Sequence, residues 1–448
     1  MTKKTRSVLF IFFIILFLTI SPLMVVYAFG FKFNLDQMRF QKTSMFIIDT
    51  EPTGAKIYID GKPEINALKF YSPTDRYART PTKIKNIIPG EHNIRIELDG
   101  YWEWEKNLIV NPGETVYIED VRLFEKNLPL ILSAQTKGSL KAIKLAPNKE
   151  NIAMINNEQL TIFDLAKEKE IISIKIPAKA EELSWSIDSK KIIINTAVFD
   201  IGSEKFINLA ELTEGDPHNL KWNGNSNIVF YQNNSGIHSF NLNNEKSTRL
   251  NTAKIDDYLI KGNELFYLST NSQNTILSIY NLAGQKDVGQ IELVKADYTF
   301  INPDNKWINL YNQNNQKLYL LEVMYPWDNK YNQKKIENIK TSTWAGDTLF
   351  YNNDFEIKTW DSRDNSTTLL TRVSDRILNL IWHPSNNYII YHTDKSINTL
   401  ELDKRETHNI NVLINPTKTM YSELNQQGNI LYFYAEIGNQ SGLYKLEI

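Results

Sequence analysis

The sequence has no cysteine among its 448 residues. Disulfides and thiolate metal sites are therefore excluded, and the absence fixes no compartment by itself. An excess of one charge is missing too. Lys and Arg number 50 against 52 Asp and Glu, a net charge of −2, which disfavours a nucleic-acid partner. Histidine is scarce: His92, His218, His238, His383, His392 and His408 are all there are, and none stands at ligand spacing from another. No G-x-S-x-G, H-E-x-x-H, glycine-rich phosphate loop or D-x-D-x-D-G calcium loop occurs, so the chemistry those motifs carry has no support. Asp256-Asp257 and Glu181-Glu182 are adjacent pairs. Neighbours in a strand point to opposite faces, so neither pair reads as a catalytic dyad. No catalytic, cofactor or metal residue is expected.

What is present begins with a long apolar run. Lys3, Lys4 and Arg6 precede residues 8–29, which carry no charge. As a helix the run would be about 33 Å long, enough to cross a bilayer core. Pro22 interrupts it. The favoured expectation is an uncleaved signal anchor over residues 1–33, because the run exceeds an ordinary signal-peptide core. A cleaved signal peptide ending near Val26-Tyr27-Ala28 is the alternative. Lys32, Arg39 and Lys42 follow on the far side, which weakens any orientation argument from charge. Residues 34–44 read as a polar spacer.

Residues 45–124 alternate short apolar runs with turns. Met45-Phe46-Ile47-Ile48 and Lys56-Ile57-Tyr58-Ile59 read as strands, the second ended by Asp60-Gly61, a strong turn dipeptide. Ile94, Ile96 and Leu98 alternate with Asn93, Arg95 and Glu97, giving one buried and one wet face. A small β-sandwich is expected. Pro52-Thr53-Gly54-Ala55, Asp60-Gly61, Thr80-Pro81, Pro89-Gly90-Glu91-His92 and Gly100-Tyr101 stand in an order that resembles the PEGA domain. The segment between Asp60-Gly61 and Thr80-Pro81 is longer than usual for that family. The resemblance implies an extracytoplasmic, surface-associated module without catalysis.

The rest of the chain repeats one pattern. LIWHPSNNYIIY from Leu380 is an apolar pair, a turn and an apolar run. Pro384 presets φ in the turn. The run is apolar at every position, as a strand covered on both faces requires. Taking the residue before each turn gives Leu145, Trp185, Trp222, Ile260, Ile301, Trp344, Trp382 and Leu424, with steps of 40, 37, 38, 41, 43, 38 and 42. A period near forty with several short strands per unit indicates a β-propeller over residues 128–448. Eight blades fit the count, with seven as the alternative. Trp382-His383-Pro384-Ser385 and Ile301-Asn302-Pro303-Asp304 look like the turn of TolB-type and WD-like repeats. That resemblance concerns fold and carries no activity. Asn recurs in the turns, where it tolerates left-handed backbone.

The fold class is thus all-β, one sandwich and one propeller after a transmembrane helix. Each repeat reads as four strands, but the last holds three candidates before the chain stops. Residues 130–134 are apolar and unassigned, and are expected to supply the missing outer strand of the last blade. Trp185, Trp222, Trp344 and Trp382 share a repeat position and read as inter-blade core. Trp102 and Trp104 read as sandwich core or rim. Tyr325, Trp327 and Tyr331 sit in an irregular insert and are the candidate ligand-contact aromatics, against a loop folding on its own side chains. The expected function is a membrane-anchored, extracytoplasmic binding or scaffold protein. Its expected partners are the membrane, through the N-terminal helix, and a cell-envelope protein or glycan. An envelope propeller enzyme acting on glycans and an organiser of protein assembly are the alternatives.

Overall fold

A computed structural model describes residues 3–34, 38–66, 76–135, 139–176, 179–180, 182–222, 224–251, 254–301, 306–322 and 332–448. By its contacts the chain forms two units. The first holds residues 1–128 with 399–413 and 448, and the second holds 129–398 with 414–447.

The first unit starts with helix α1, Lys3–Ala28, with Pro22 inside it. Most of its apolar side chains are exposed, and among the described residues none buries the apolar stretch Thr5–Ala28. Strands β1 (Phe31–Asn34) and β2 (Arg39–Lys42) follow as an antiparallel hairpin. The polar spacer expected over residues 34–44 is therefore corrected. Phe31, Phe33 and Phe40 pattern this stretch at period two, and the pairing of Phe33 with Phe40 sets the register.

The sandwich has two sheets. One orders β6 (Thr82–Ile87), β3 (Ser44–Glu51) and β9 (Thr115–Arg122), with β3 and β9 parallel. The other orders β5 (Lys62–Pro63), β4 (Lys56–Ile59), β7 (Gly90–Glu97) and β8 (Trp104–Val110). Alternate residues of β8 are buried, and Phe46, Ile48, Ile57, Ile94, Ile96 and Leu108 meet in the core. His92 holds two turns together: its Nδ1 lies 2.8 Å from Asp60 Oδ2 and its Nε2 2.6 Å from the Ile88 carbonyl.

Beyond the sandwich, the described residues form eight four-stranded antiparallel sheets, one for each turn position read from the sequence. The first strands of successive sheets lie against one another, as in Leu140–Leu145 against Leu183–Trp185. The run Tyr388–Thr393 is buried at every position, as a strand covered on both faces must be. Asn386 in the preceding turn has φ of 65°. A short helix, Leu209–Leu212, is the one helix in the second unit's described residues, capped by Asn208.

The last sheet is completed from the other end of the unit. Strand β10 (Leu130–Gln135) pairs antiparallel with Gln440–Glu447 at the edge of the sheet. This is the pairing expected for residues 130–134. The first and last sheets also share a core, in which Ile152, Met154 and Phe163 meet Tyr432, Tyr434 and Leu443. The Tyr421 hydroxyl accepts from the Leu145 backbone N–H at 2.9 Å, and Lys149 Nζ pairs with Glu423 at 3.1 Å.

Candidate functional site

The inner strands are fastened by polar groups that cross from sheet to sheet. Trp185 Nε1 donates to the Lys144 carbonyl at 3.0 Å, and Trp222 Nε1 donates to the Ser184 carbonyl at 3.1 Å. Both carry out the same step one repeat apart. Trp344 stacks 6.4 Å from Trp307, and Trp382 Nε1 donates to Asn386 in its own turn. The repeated tryptophans are accordingly packing and fastening residues.

Asp257 is the densest of these fasteners. Its Oδ1 accepts from Lys221 Nζ at 2.6 Å and from Asn219 Nδ2 at 3.0 Å, and its Oδ2 accepts from the Phe300 N–H at 2.9 Å. It thereby joins the first strands of three sheets. Its neighbour Asp256 is exposed, so the two carboxylates do not converge. A buried charge with several charge-assisted hydrogen bonds is stable where an unpaired one is not. The sequence showed only an acidic pair and gave no sign of this role.

Where the first strands of four sheets converge, they line a cavity of about 890 Å³. Its polar lining includes Lys141, Lys144, Lys179, Glu182, Asn195 and Tyr421. The three lysines are exposed to it, and among the described residues none has an ion-pair partner. Asn195 Nδ2 donates to the Lys179 carbonyl at 2.6 Å, which fixes the wall beside Glu182. Among the described residues, the lining thus includes three lysines and one glutamate. Burial pushes the Tyr421 hydroxyl pKa well up, so that group acts as a neutral hydrogen-bonding partner. Among the described lining residues none pairs as a nucleophile with its base, since such a pair needs convergent, hydrogen-bonded partners.

Three of the histidines make packing or turn contacts. His383 is fully buried in its turn. His392 is buried, with Nδ1 against Ser422 Oγ on the next sheet. Burial holds its pKa down at about 4. His238 stacks 5.1 Å from Tyr231 and is likewise lowered by burial, then by the Arg249 charge. Among the described residues no group of three His, Cys, Asp or Glu is arranged to hold a metal. Tyr325, Trp327 and Tyr331 lie outside the described residues, as does Glu181.

The first unit has a polar cluster of its own. Trp104 is buried, and its Nε1 donates to Glu401 Oε1 at 2.7 Å. Lys106 occupies the next inward position of β8 and is 2% exposed. Its Nζ pairs with Glu401 at 3.0 Å and with Asp403 at 3.5 Å, and donates to the carbonyls of Asp403 and Arg405. Burial would raise the Asp403 pKa, but hydrogen bonds from Arg405 and the charges of Lys106 and Arg405 hold it below the usual carboxylate value. Trp102 is half-buried, with Lys126 Nζ 4.8 Å above its ring.

Residues 74–123 match the PEGA domain family. No curated protein matches the chain. Among solved structures, the C-terminal WD40 domain of Sif2 resembles it with a TM-score of 0.50 at 12% identity, over 72% of this chain and 99% of that one. The computationally designed Ika8 protein gives a TM-score of 0.51 at 11% identity, over 71% and 98%. A eukaryotic initiation factor gives 0.50 at 13% identity, over 70% and 92%. At such identities the likeness concerns fold alone. Residues 74–123 therefore match a PEGA domain, and the second unit has the fold of a WD40-like β-propeller.

Proposed function

We propose that the protein is a membrane-anchored, extracytoplasmic binding or scaffold protein of the cell envelope, with the propeller as its interaction platform. In this reading residues 1–33 are an uncleaved anchor, 45–124 the PEGA module and 128–448 the platform. The observation that carries it is α1: a helix of transmembrane length, whose apolar stretch is not buried by the described residues, stands N-terminal to the PEGA match at residues 74–123. An uncovered apolar helix of that length is stable in a bilayer and costly in water.

The platform binds without transforming. Among the described residues its inner cavity offers hydrogen bonds and positive charge and no acid–base pair, which favours a partner presenting anionic groups. Such a partner is an envelope protein or glycan with exposed carboxylates or phosphates. The insert bearing Tyr325, Trp327 and Tyr331 is a second contact in this reading. The test is capture from solubilised envelope by the full chain, compared with Lys141→Glu/Lys144→Glu/Lys179→Glu. A partner held by the parent and lost by the variant supports the cavity as the binding place. An unchanged capture profile contradicts it.

A further inference from the structure

The hairpin β1–β2 carries an apolar face that no other part of the described protein covers. Phe33 is 42% and Phe40 48% exposed, and Met38, at the approach to β2, is 73% exposed. Phe33 and Phe40 are cross-strand partners with ring centroids 5.2 Å apart in an edge-to-face arrangement. Phe31 pairs with Lys42 on the same face, while Lys32 pairs with Gln41 on the other. In water a two-stranded hairpin is marginal by itself, and an aromatic face left wet adds nothing to its stability.

The position of this hairpin identifies what covers it. Only Phe29 and Gly30 separate α1 from β1, and Phe29 and Tyr27 are exposed aromatics at the helix end. The join is clamped. The Gly30 carbonyl accepts from both the N–H and the hydroxyl of Thr43, at 2.6 and 2.7 Å. Gly30 itself has φ of 82°, and its N–H returns to the Tyr27 carbonyl. The Tyr27 hydroxyl accepts from Asn86 Nδ2 at 3.4 Å, and Lys32 Nζ donates to the Asn86 carbonyl at 3.0 Å. A four-residue strand is about 13 Å long. The hairpin is therefore held at the end of the helix and cannot reach far from it. The sequence over residues 30–43 adds Lys32, Arg39 and Lys42 against the single acid Asp36. Aromatic rings with adjoining cations are the composition that partitions into the headgroup layer, where rings sit at the acyl boundary and cations meet phosphates.

We propose that the β1–β2 hairpin lies in the interface of the bilayer that α1 crosses, with Phe33, Phe40 and Met38 buried among the lipids. Its hold on the Gly30 carbonyl then sets the sandwich at a defined height and tilt above the membrane, where a bare helix would leave it to swivel. This inference rests on the anchored reading above.

The absence of cysteine makes the test direct. The full chain carrying Met38→Cys is labelled with an environment-sensitive fluorophore and reconstituted into phosphatidylcholine–phosphatidylglycerol vesicles, with and without brominated acyl chains. Alkaline carbonate extraction and flotation are run on the same samples. The expected result is a blue-shifted emission that is quenched by brominated lipid, and loss of both effects in Phe33→Ser/Phe40→Ser, which remains carbonate-resistant with unchanged propeller melting. A carbonate-resistant chain whose label is unquenched overturns the hairpin proposal and leaves the anchor standing. Equal quenching in the serine variant also overturns it, because the dye then reports only itself. A chain extracted by carbonate overturns the anchored reading, and the hairpin proposal with it.

Discussion

His383 Nε2 donates a hydrogen bond to the carbonyl of Gly428 at 2.9 Å, joining a turn of one sheet to the turn of the next. Its Nδ1 accepts from the Ser385 N–H at 3.1 Å, which places the ring proton on Nε2. Gly428 has φ of 77°, and a Cβ there would meet His383 Nε2 at 2.7 Å and Pro384 Cδ at 2.8 Å. Gly428→Ala therefore strains the backbone and displaces the ring together. A loss of about 1–3 kcal/mol is expected. His383→Leu should cost a similar amount by leaving the carbonyl unpaired. In urea titrations the double variant should lose less than the two single losses combined, because both remove the same contact.

Closure by β10 makes the two ends of the second unit interdependent. Deleting residues 128–134 strips the edge of the last sheet and exposes the backbone of Gln440–Glu447. It also removes the Ser133 hydroxyl that donates to Glu170 Oε1 at 3.0 Å. Calorimetry should show the whole propeller melting lower, as one transition. An unchanged melting curve would mean that the edge strand contributes nothing to closure.

Burial gives His392 a sign-definite pH effect. Its folded pKa is about 4, while the unfolded side chain titrates near about 6.5. Between those values the unfolded chain binds the extra proton. The stabilising contribution is therefore whole above about 6.5 and is lost as pH falls from there toward about 4, by up to about 3 kcal/mol. His238 and His408, both lowered first by burial, act in the same direction. His392→Gln should flatten the stability profile over that window when denaturant midpoints are compared at successive pH values.

Lys106 presents the opposite case, a cation on the core face of a strand. Lys106→Met leaves Glu401 without its cation, while Asp403 keeps Arg405. Breaking a buried pair from one side costs about 3–5 kcal/mol. Adding Glu401→Gln removes one stranded charge while keeping an acceptor for Trp104 Nε1, so the double variant should recover part of the loss. Equilibrium unfolding of the single and double variants measures the difference.

These elements show where sequence reading succeeds. The turn string from Leu380 and its copies were legible because chain-wide periodicity repeats a local rule. The apolar residues 130–134 were legible because the last repeat was one strand short. The hairpin at 31–42 was not, since its aromatic alternation runs straight on from the apolar helix and the residues between look merely polar. Lys106 reads in β8 as a break in the apolar alternation, and nothing local announces the acidic cluster that accepts it. The Trp104–Glu401 contact spans 297 residues of chain. Asp257 was legible as half of a pair and illegible as a junction of three strands, because convergence of distant strands leaves no local trace. The cavity lysines escaped notice for the same reason.

The central claim concerns where the propeller stands, and one measurement addresses it. Because the chain has no cysteine, a single Asn244→Cys on an exposed turn gives one reactive thiol. Intact cells making the full chain are treated with a small membrane-impermeant maleimide, and the fraction labelled is compared with that after lysis. The account predicts equal labelling before and after lysis, with the labelled chain remaining in the membrane fraction. Labelling that appears only after lysis would place the propeller in the cytoplasm and contradict the account.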